Sequence, residues 1–139
     1  MRDIKFRAWD KKIKEMFAVH KLEFREIDGK VGEPTMIMGY SSVGCGSFEG
    51  RDLFGGCNMK RLEFMQYTGL PDKNGNEIYE GDIWKSVENG IESVGVVEYY
   101  GCSFRVRYNF VSELLGLAVR YGEVIGNIYE HYHLLEAQP

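Results

Sequence analysis

The sequence lacks most of what would mark a secreted or membrane protein. Its 139 residues include only three cysteines, Cys45, Cys57 and Cys102, and no C-x-x-C pair. An odd number of such cysteines is typical of reduced intracellular thiols and argues against a disulfide framework. No run of about 18 apolar residues is present to span a membrane, and residues 1–5 lack the apolar core of a signal peptide. We therefore expect a protein that stays in the cytoplasm.

Basic charge is also scarce. The chain has 17 Lys and Arg residues against 21 Asp and Glu residues, a formal net charge of −4. Proteins that gain affinity by neutralising phosphates need a basic stripe, so this balance argues against that class. Lysines on a strand commonly form a solvated face that prevents edge pairing, and a local nucleic-acid contact is the alternative. The basic residues that cluster are Arg2, Lys5, Arg7, Lys11, Lys12 and Lys14.

An alternating pattern opens the chain. Over residues 4–9 apolar side chains alternate with basic ones, which predicts a half-buried strand. Ile4, Phe6 and Ala8 would share its buried face. Trp9 would then lie on the opposite face, beside the basic residues.

The segments that follow predict a hairpin and then a long loop. Residues 10–12 suit a turn, and residues 16–19 can return as an antiparallel partner. Residues 35–60 are rich in glycine, which predicts a long loop with a short strand over residues 36–40. Within it, residues 44–50 have G-x-G-x-x-x-G spacing without the strand and helix of a dinucleotide-binding unit, so we predict no phosphate site there.

Residues 66–82 contain the densest turn chemistry in the chain. Leu70-Pro71 ends the strand that precedes it, and Asn74-Gly75 predicts a type I′ hairpin turn, in which both central residues have positive φ. This run predicts a junction between an N-terminal β region, residues 1–66, and a C-terminal region, residues 67–139.

The C-terminal region is rich in strand signals. Asn89-Gly90 lies between two segments of alternating pattern, residues 82–88 and 91–100, which together predict a hairpin. The remaining elements are predicted as strands over residues 103–108 and 122–129, with one or two turns of helix over residues 111–117.

Short strands in so small a region favour a small bent barrel over a sandwich of two full sheets. Gly95, inside a long strand, is the predicted position of a bend or bulge. The fold class is therefore mainly β, an N-terminal hairpin region followed by a small barrel.

Three segments together resemble the YopX family of phage and prophage proteins. They are residues 4–10 (IKFRAWD), the central residues 65–82 (MQYTGL to EIYEGD) and residues 123–130 (EVIGNIYE). Residues 35–60 and 111–121 carry no recognised motif. The resemblance implies a mainly β protein whose C-terminal part is an SH3-like barrel, made in a bacterial host cell. It implies no activity, because the family has no assigned function, and it supplies no catalytic or binding residues.

Two groups of residues carry metal-binding chemistry without a metal-binding pattern. Asp72, Asn74 and Asn76 alternate as in a calcium loop, but the glycine falls at the wrong position and Ile83 replaces the bidentate glutamate. His131 and His133 would share one face of a strand, yet zinc needs further ligands. We therefore predict no metal or cofactor. The remaining acidic residues considered are Glu77, Glu80 and Asp82, of which Asp82 is also predicted to accept backbone hydrogen bonds.

No nucleophile motif is present, so we predict that the chain is not an enzyme. Its aromatic share of 14% exceeds what alternating strands can all turn inward, and leftover tyrosines beside arginines are typical of interfaces. The sequence favours a non-enzymatic binding or assembly protein that forms a homo-oligomer or binds a host or phage protein. A nucleic-acid accessory factor and a metal-dependent hydrolase are the alternatives. The predicted interaction residues are Lys5, Arg7, Lys12, Tyr99, Tyr100, Arg105, Arg107 and Tyr129.

Overall fold

The computed structural model describes residues 1–24, 29, 36–39 and 61–136, with the backbone alone for residues 36–39. The chain divides into two compact units. The N-terminal unit is Lys5–Met65, and the C-terminal unit is Met1–Ile4 together with Gln66–Pro139. Strands dominate, and they form two antiparallel sheets, which confirms the mainly β prediction.

In the N-terminal unit the predicted hairpin is confirmed. Its strands run antiparallel with Ala8 opposite Phe17, and both side chains are buried with Leu62 in one apolar core. The predicted strand near residue 36 is also confirmed, whereas the rest of the glycine-rich stretch 35–60 lies outside the described residues. The strands, in the sheet order β3-β2-β1-β4, are β1 (Phe6–Asp10), β2 (Glu15–Glu23), β3 (Met36–Gly39) and the first part of β4 (Leu62–Pro71).

The first strand is more deeply covered than its sequence pattern predicts. Trp9, expected on the solvent side, is only 6% exposed, while Ile4, expected to be buried, precedes the strand and is 62% exposed. Side chains on both faces of the C-terminal end of β1 are therefore buried. Alternation of apolar and basic residues predicts burial of one face of a strand and cannot indicate burial of both.

Asp10 ends this strand and organises the turn that follows. Its Oδ1 accepts the backbone N–H groups of Lys12 and Ile13 and, at 2.6 Å, the Nε–H of Arg61. Burial raises the pKa of this carboxyl, but the Arg61 side chain and the two backbone donors outweigh burial and hold the pKa below its usual value. A buried carboxylate thus joins a turn to a residue 51 positions away.

The C-terminal unit is built on a five-stranded antiparallel sheet with the order β10-β6-β7-β8-β9. The remainder of β4 pairs with the short strand β5. Among the described residues no helix is long and apolar enough to cross a membrane. The elements are β5 (Glu77–Tyr79), β6 (Asp82–Glu88), β7 (Ile91–Tyr100), β8 (Ser103–Arg107), β9 (Ser112–Leu114), β10 (Gly122–Asn127), α1 (Leu115–Ala118) and α2 (His133–Glu136).

Two tight turns define this sheet. Asn89 and Gly90 have φ values of 51° and 78°, so the predicted type I′ turn joins β6 to β7. Gly101 and Cys102, with φ values of 59° and 63°, make a similar turn between β7 and β8. Gly95 shows no bulge, since β6 and β7 pair without a register shift up to Val96. A Cβ there would lie 2.7 Å from the carbonyl oxygen of Arg107, so close approach of β8 explains the glycine.

The segment predicted as a helix over residues 111–117 is only partly helical. Glu113 and Leu114 pair with Val106 and Arg105 of β8, because the outer edge of β8 needs a hydrogen-bonding partner. The helix begins only at Leu115 and places Leu115 and Ala118 in the core. The sheet order leaves β9 and β10 as its two edges, so the described strands form an open sheet and do not show the closure of a barrel.

The core of this unit surrounds Trp84, which is fully buried against Ile78, Val97, Val106 and Leu115. Gly122 of β10 lies against the indole of Trp84, where there is no room for a side chain. A Cβ at that position would lie 2.3 Å from the Cε2 and Cζ2 atoms of Trp84.

We predict that Gly122→Ala destabilises the protein by about 1–3 kcal/mol, because the added methyl group must displace the indole from a packed core. Urea denaturation followed by tryptophan fluorescence measures the change. Gly116→Ala is the matched control, since nothing lies within 4 Å of its added Cβ. Equal stability of the two variants would contradict this account of the Trp84 core.

Candidate functional site

The outer face of the C-terminal sheet carries the arginines that the sequence analysis selected. Val97 and Val106 point into the core, so the intervening residues of β7 and β8 lie on the other face. There the Nε of Arg107 donates to Glu98 at 2.9 Å, and the Nε of Arg105 donates to Ser112 at 3.1 Å. The arginines are therefore held in place by neighbouring strands.

A projecting loop joins β8 to β9 beside these arginines. The N–H of Tyr108 donates to the carbonyl of Val111 at 2.8 Å and closes the loop. Phe110 at its tip is 99% exposed, Val111 is 69% exposed and Tyr100 of β7 is 72% exposed. These side chains line one open groove, here called the Phe110 groove, with Glu98, Arg107, Tyr108, Asn109 and Ser112.

A second groove of about 470 Å³ adjoins the first and shares Arg107, Tyr108 and Asn109 with it. We call it the Tyr132 groove. Tyr132 is 58% exposed, whereas Tyr129 is half-buried. The other lining residues are Val94, Gly95, Val96, Ile128 and Leu135.

Asn127 fixes the segment that carries those tyrosines. Its buried side chain accepts the N–H groups of Tyr129 and Glu130 through Oδ1 and donates to Glu130 at 2.7 Å through Nδ2. Its own N–H donates to the Nδ1 of His131 at 3.2 Å. His131 also fills the space above Gly126, where a Cβ would lie 2.8 Å from the imidazole. This network positions one wall of the Tyr132 groove.

His131 and His133 do not lie on a strand, contrary to prediction. His131 belongs to the turn after β10, and His133 begins α2. Because the Nδ1 of His131 accepts a backbone N–H, that nitrogen is occupied by a structural bond. The ring centroids are 6.3 Å apart.

Asp72 organises the predicted calcium-like loop through hydrogen bonds. Its carboxylate accepts the backbone N–H groups of Asn74, Asn76 and Val124 and the Nδ2–H of Asn76. Burial raises the pKa of Asp72, but these donors outweigh burial and the pKa lies below its usual value. The predicted Asn74-Gly75 type I′ turn is wrong, because Gly75 alone of that pair has positive φ. The longer loop is held by Asp72 instead.

Two of the other acidic residues of this region also bind backbone groups, whereas Glu77 accepts the hydroxyl of Tyr79 at 2.8 Å. Glu80 accepts the N–H of Gln66 at 2.8 Å, and Asp82 accepts the N–H of Tyr79 at 2.7 Å, which confirms the predicted structural role of Asp82. Within the described ranges no group of three or more His, Cys, Asp and Glu side chains is placed to hold a metal ion.

The predicted interaction residues fall into separate parts of the chain. Lys5, Arg7 and Lys12 belong to the N-terminal unit, where Lys5 and Lys12 are exposed and Arg7 is half-buried. The other five belong to the C-terminal unit. Of those, Tyr100, Arg107 and Tyr129 line the two grooves, Arg105 binds Ser112 and Tyr99 packs edge-on against Phe104 with centroids 5.1 Å apart.

The sequence did not lead us to predict that Asn109, Phe110 and Val111 form part of this surface. Asn109 and Phe110 fell between the strand predicted over residues 103–108 and the helix predicted over residues 111–117, and Val111 was assigned to the start of that helix. The Asn109-Phe110 step after an alternating strand was the available signal, since asparagine favours a turn.

The fold and this surface define a class of protein. It is a mainly β chain with two antiparallel sheets, and the second sheet carries a surface of aromatic residues and arginines. A family model described as "YopX protein" matches residues 5–136. The chain belongs to the YopX family, and the resemblance seen in the sequence is confirmed.

Two solved structures resemble the chain over nearly its whole length. Protein EF1440 from Enterococcus faecalis has 26% identity and a TM-score of 0.59, with 97% of this chain and 99% of that chain covered. Protein yopX from Bacillus subtilis has 20% identity and a TM-score of 0.60, with 94% of this chain and 97% of that chain covered. No curated protein matches the sequence.

We predict that Asp72→Asn lowers the free energy of unfolding at pH 7 by about 1–3 kcal/mol, because the amide turns a donor towards backbone N–H groups. The lowered folded pKa means that the ionised Asp72 stabilises the protein above its ordinary pKa of 3.8. This contribution is lost as the pH falls through the folded value. The difference between wild type and variant should therefore shrink below pH 3.8.

Chemical denaturation at several pH values measures this difference. Glu88→Gln, at an exposed position, is the control for removal of one negative charge. A difference between wild type and Asp72→Asn that is independent of pH would show that the carboxylate charge is not what stabilises the loop.

Proposed function

We propose that this member of the YopX family is a non-enzymatic binding or assembly protein of phage or prophage origin that works in the cytoplasm of a bacterial host and self-associates through its C-terminal unit. The observation that supports this proposal is the Phe110 groove. Tyr100, Phe110 and Val111 together line one surface feature while each is more than two-thirds exposed. Exposed apolar patches of this kind mark interaction sites.

The energetics favour contact with another protein surface. Burying a phenylalanine or valine side chain contributes about 1.5–3 kcal/mol relative to leaving it exposed. Tyrosine and arginine are the residue types that carry most interface energy, and Tyr100 and Arg107 flank the loop. Arg107 is already held by Glu98, so less side-chain entropy is lost on binding.

The sheet edges support self-association as the mode of contact. On the β10 side, the N–H of Val124 donates to Asp72 at 3.1 Å, so the loop of residues 72–76 protects that edge. β9 pairs with β8 and is the last strand in the sheet order. An edge strand presents N–H and C=O groups that can pair with another chain, and Leu114 of β9 is 44% exposed.

The SH3-like barrel remains our interpretation of the C-terminal unit. The order of its strands and the position of α1 between β9 and β10 along the chain are compatible with a strongly bent sheet. The proposed self-association does not depend on closure of that sheet.

The two alternative functions receive less support. For a nucleic-acid factor, the Phe110 groove contains one cation, Arg107, beside the carboxylate of Glu98, and the net charge of −4 opposes a polyanion. For a metal-dependent hydrolase, Asp72 and Asp82 already accept backbone N–H groups, which occupies oxygens that a metal would need.

We predict that the mass of the protein in solution exceeds the 16.0 kDa of its monomer. Phe110→Ser should weaken self-association at least about tenfold, because each subunit loses a phenyl ring that the contact between subunits would bury. Light scattering after size exclusion, over a wide dilution series, measures both quantities.

Ile91→Ser is the matched control, because Ile91 is 69% exposed but lies outside the Phe110 groove. This variant should associate like the wild type. A single monomeric species at high concentration would disprove self-association, and equal weakening by both variants would disprove the Phe110 groove as its surface.

A further inference from the structure

We propose that the Tyr132 groove, which adjoins the Phe110 groove, is a second binding site, for an extended peptide that carries a carboxylate between apolar side chains. This inference goes beyond self-association, because it concerns a second groove and a different partner. It rests on the donors and charges that line that groove.

The polar side chains of this groove can donate hydrogen bonds, and its amide and hydroxyl oxygens can also accept them. Arg107 uses only its Nε in its bond to Glu98, and no described residue accepts from its Nη1 or Nη2. Its side chain is 53% exposed. The amide of Asn109 and the hydroxyl of Tyr132 likewise make no hydrogen bond within the described part of the chain. Both side chains are exposed.

The lining contains one cation and no carboxylate. The carboxylate of Glu98, which binds the Nε of Arg107 at 2.9 Å, belongs to the adjoining Phe110 groove. A guanidinium binds a carboxylate through parallel N–H groups, so the free Nη edge of Arg107 complements a carboxylate. Asn109 can donate to the same group or to a peptide carbonyl.

The remaining walls determine what accompanies the carboxylate. Val94, Val96, Ile128 and Leu135 are apolar, and the volume of about 470 Å³ lies within the range of ligand sites. Single-stranded nucleic acid also binds tyrosines and arginines, but a polyphosphate chain needs several cations and this groove has one. A peptide with one acidic residue flanked by leucines matches both the charge and the walls.

The test is an NMR titration of the ¹⁵N-labelled full chain with acetyl-Gly-Leu-Asp-Leu-Gly-amide and with its Asn counterpart. We expect saturable shifts at Val96, Arg107, Asn109 and Tyr132, with the Asp peptide bound about tenfold more tightly, because a charge-assisted hydrogen bond is stronger than a neutral one. A peptide with a free C-terminal carboxylate in place of the Asp side chain distinguishes the two sources of that group.

Arg107→Gln should reduce the preference for Asp over Asn to nearly one, whereas Arg120→Gln, at an exposed position outside the groove, should leave it unchanged. Tyr132→Phe removes one donor and leaves the ring. Equal affinity for the two peptides, absence of saturation, or binding of a short oligonucleotide at these residues in place of the peptide would overturn the proposal.

Repeating the titration with Phe110→Ser separates this site from self-association. Peptide binding by a monomeric protein would support the Tyr132 groove even if the proposed oligomer does not form. Conversely, an oligomer that binds neither peptide would leave the proposed function standing and reject this site.

Discussion

Two buried carboxylates hold the turns of this protein, and much of the remaining architecture depends on them. Asp10 and Asp72 each lie at or next to a strand end, are at most 5% exposed and accept a backbone N–H two residues further on. A buried charge must be fully hydrogen-bonded, since an unpaired one is costly. Each aspartate therefore also recruits a distant partner: Arg61, 51 residues from Asp10, and Val124, 52 residues from Asp72.

This constraint decides what chemistry is left for function. Three of the acidic residues that suggested a metal site, Asp72, Glu80 and Asp82, accept backbone N–H groups. Carboxylates used in this way rigidify turns but have fewer lone pairs available for a ligand. Side chains on the outer face of the second sheet remain available, and they are aromatic, aliphatic and donor-rich. That chemistry suits recognition of another chain better than a reaction.

The two grooves are assembled from parts of the sequence that share no motif. Both grooves contain residues of β7 and of the β8–β9 loop, whereas residues of the turn that Asn127 and His131 build after β10 line the Tyr132 groove alone. Gly95 lets β8 approach β7 closely beside that floor. Arg107 lines both grooves, so a substitution there can affect both surfaces at once. Its effect should be compared with the effect of a variant that changes one groove alone.

Features that depend on residues adjacent in the chain could be predicted from the sequence alone. Asn89-Gly90 predicted its turn because only certain residues tolerate two successive positive φ values, and the segments on either side of it predicted the strands β6 and β7. The aromatic excess also predicted exposed tyrosines, which Tyr99 and Tyr100 confirm. The family followed from three such local segments.

Features that depend on other segments packing or pairing against a residue could not be predicted from the sequence and are seen in the tertiary structure. The burial of Trp9, the division of residues 111–117 between strand and helix, and the control of the Asn74-Gly75 loop by Asp72 each depend on what packs or pairs against them. The same is true of the meeting of Arg107 with Tyr132 in one groove. The local pattern of a strand indicates which way a side chain points. Burial and pairing depend on other segments, some as near as β8 is to Glu113 and some as far as Val124, 52 positions after Asp72.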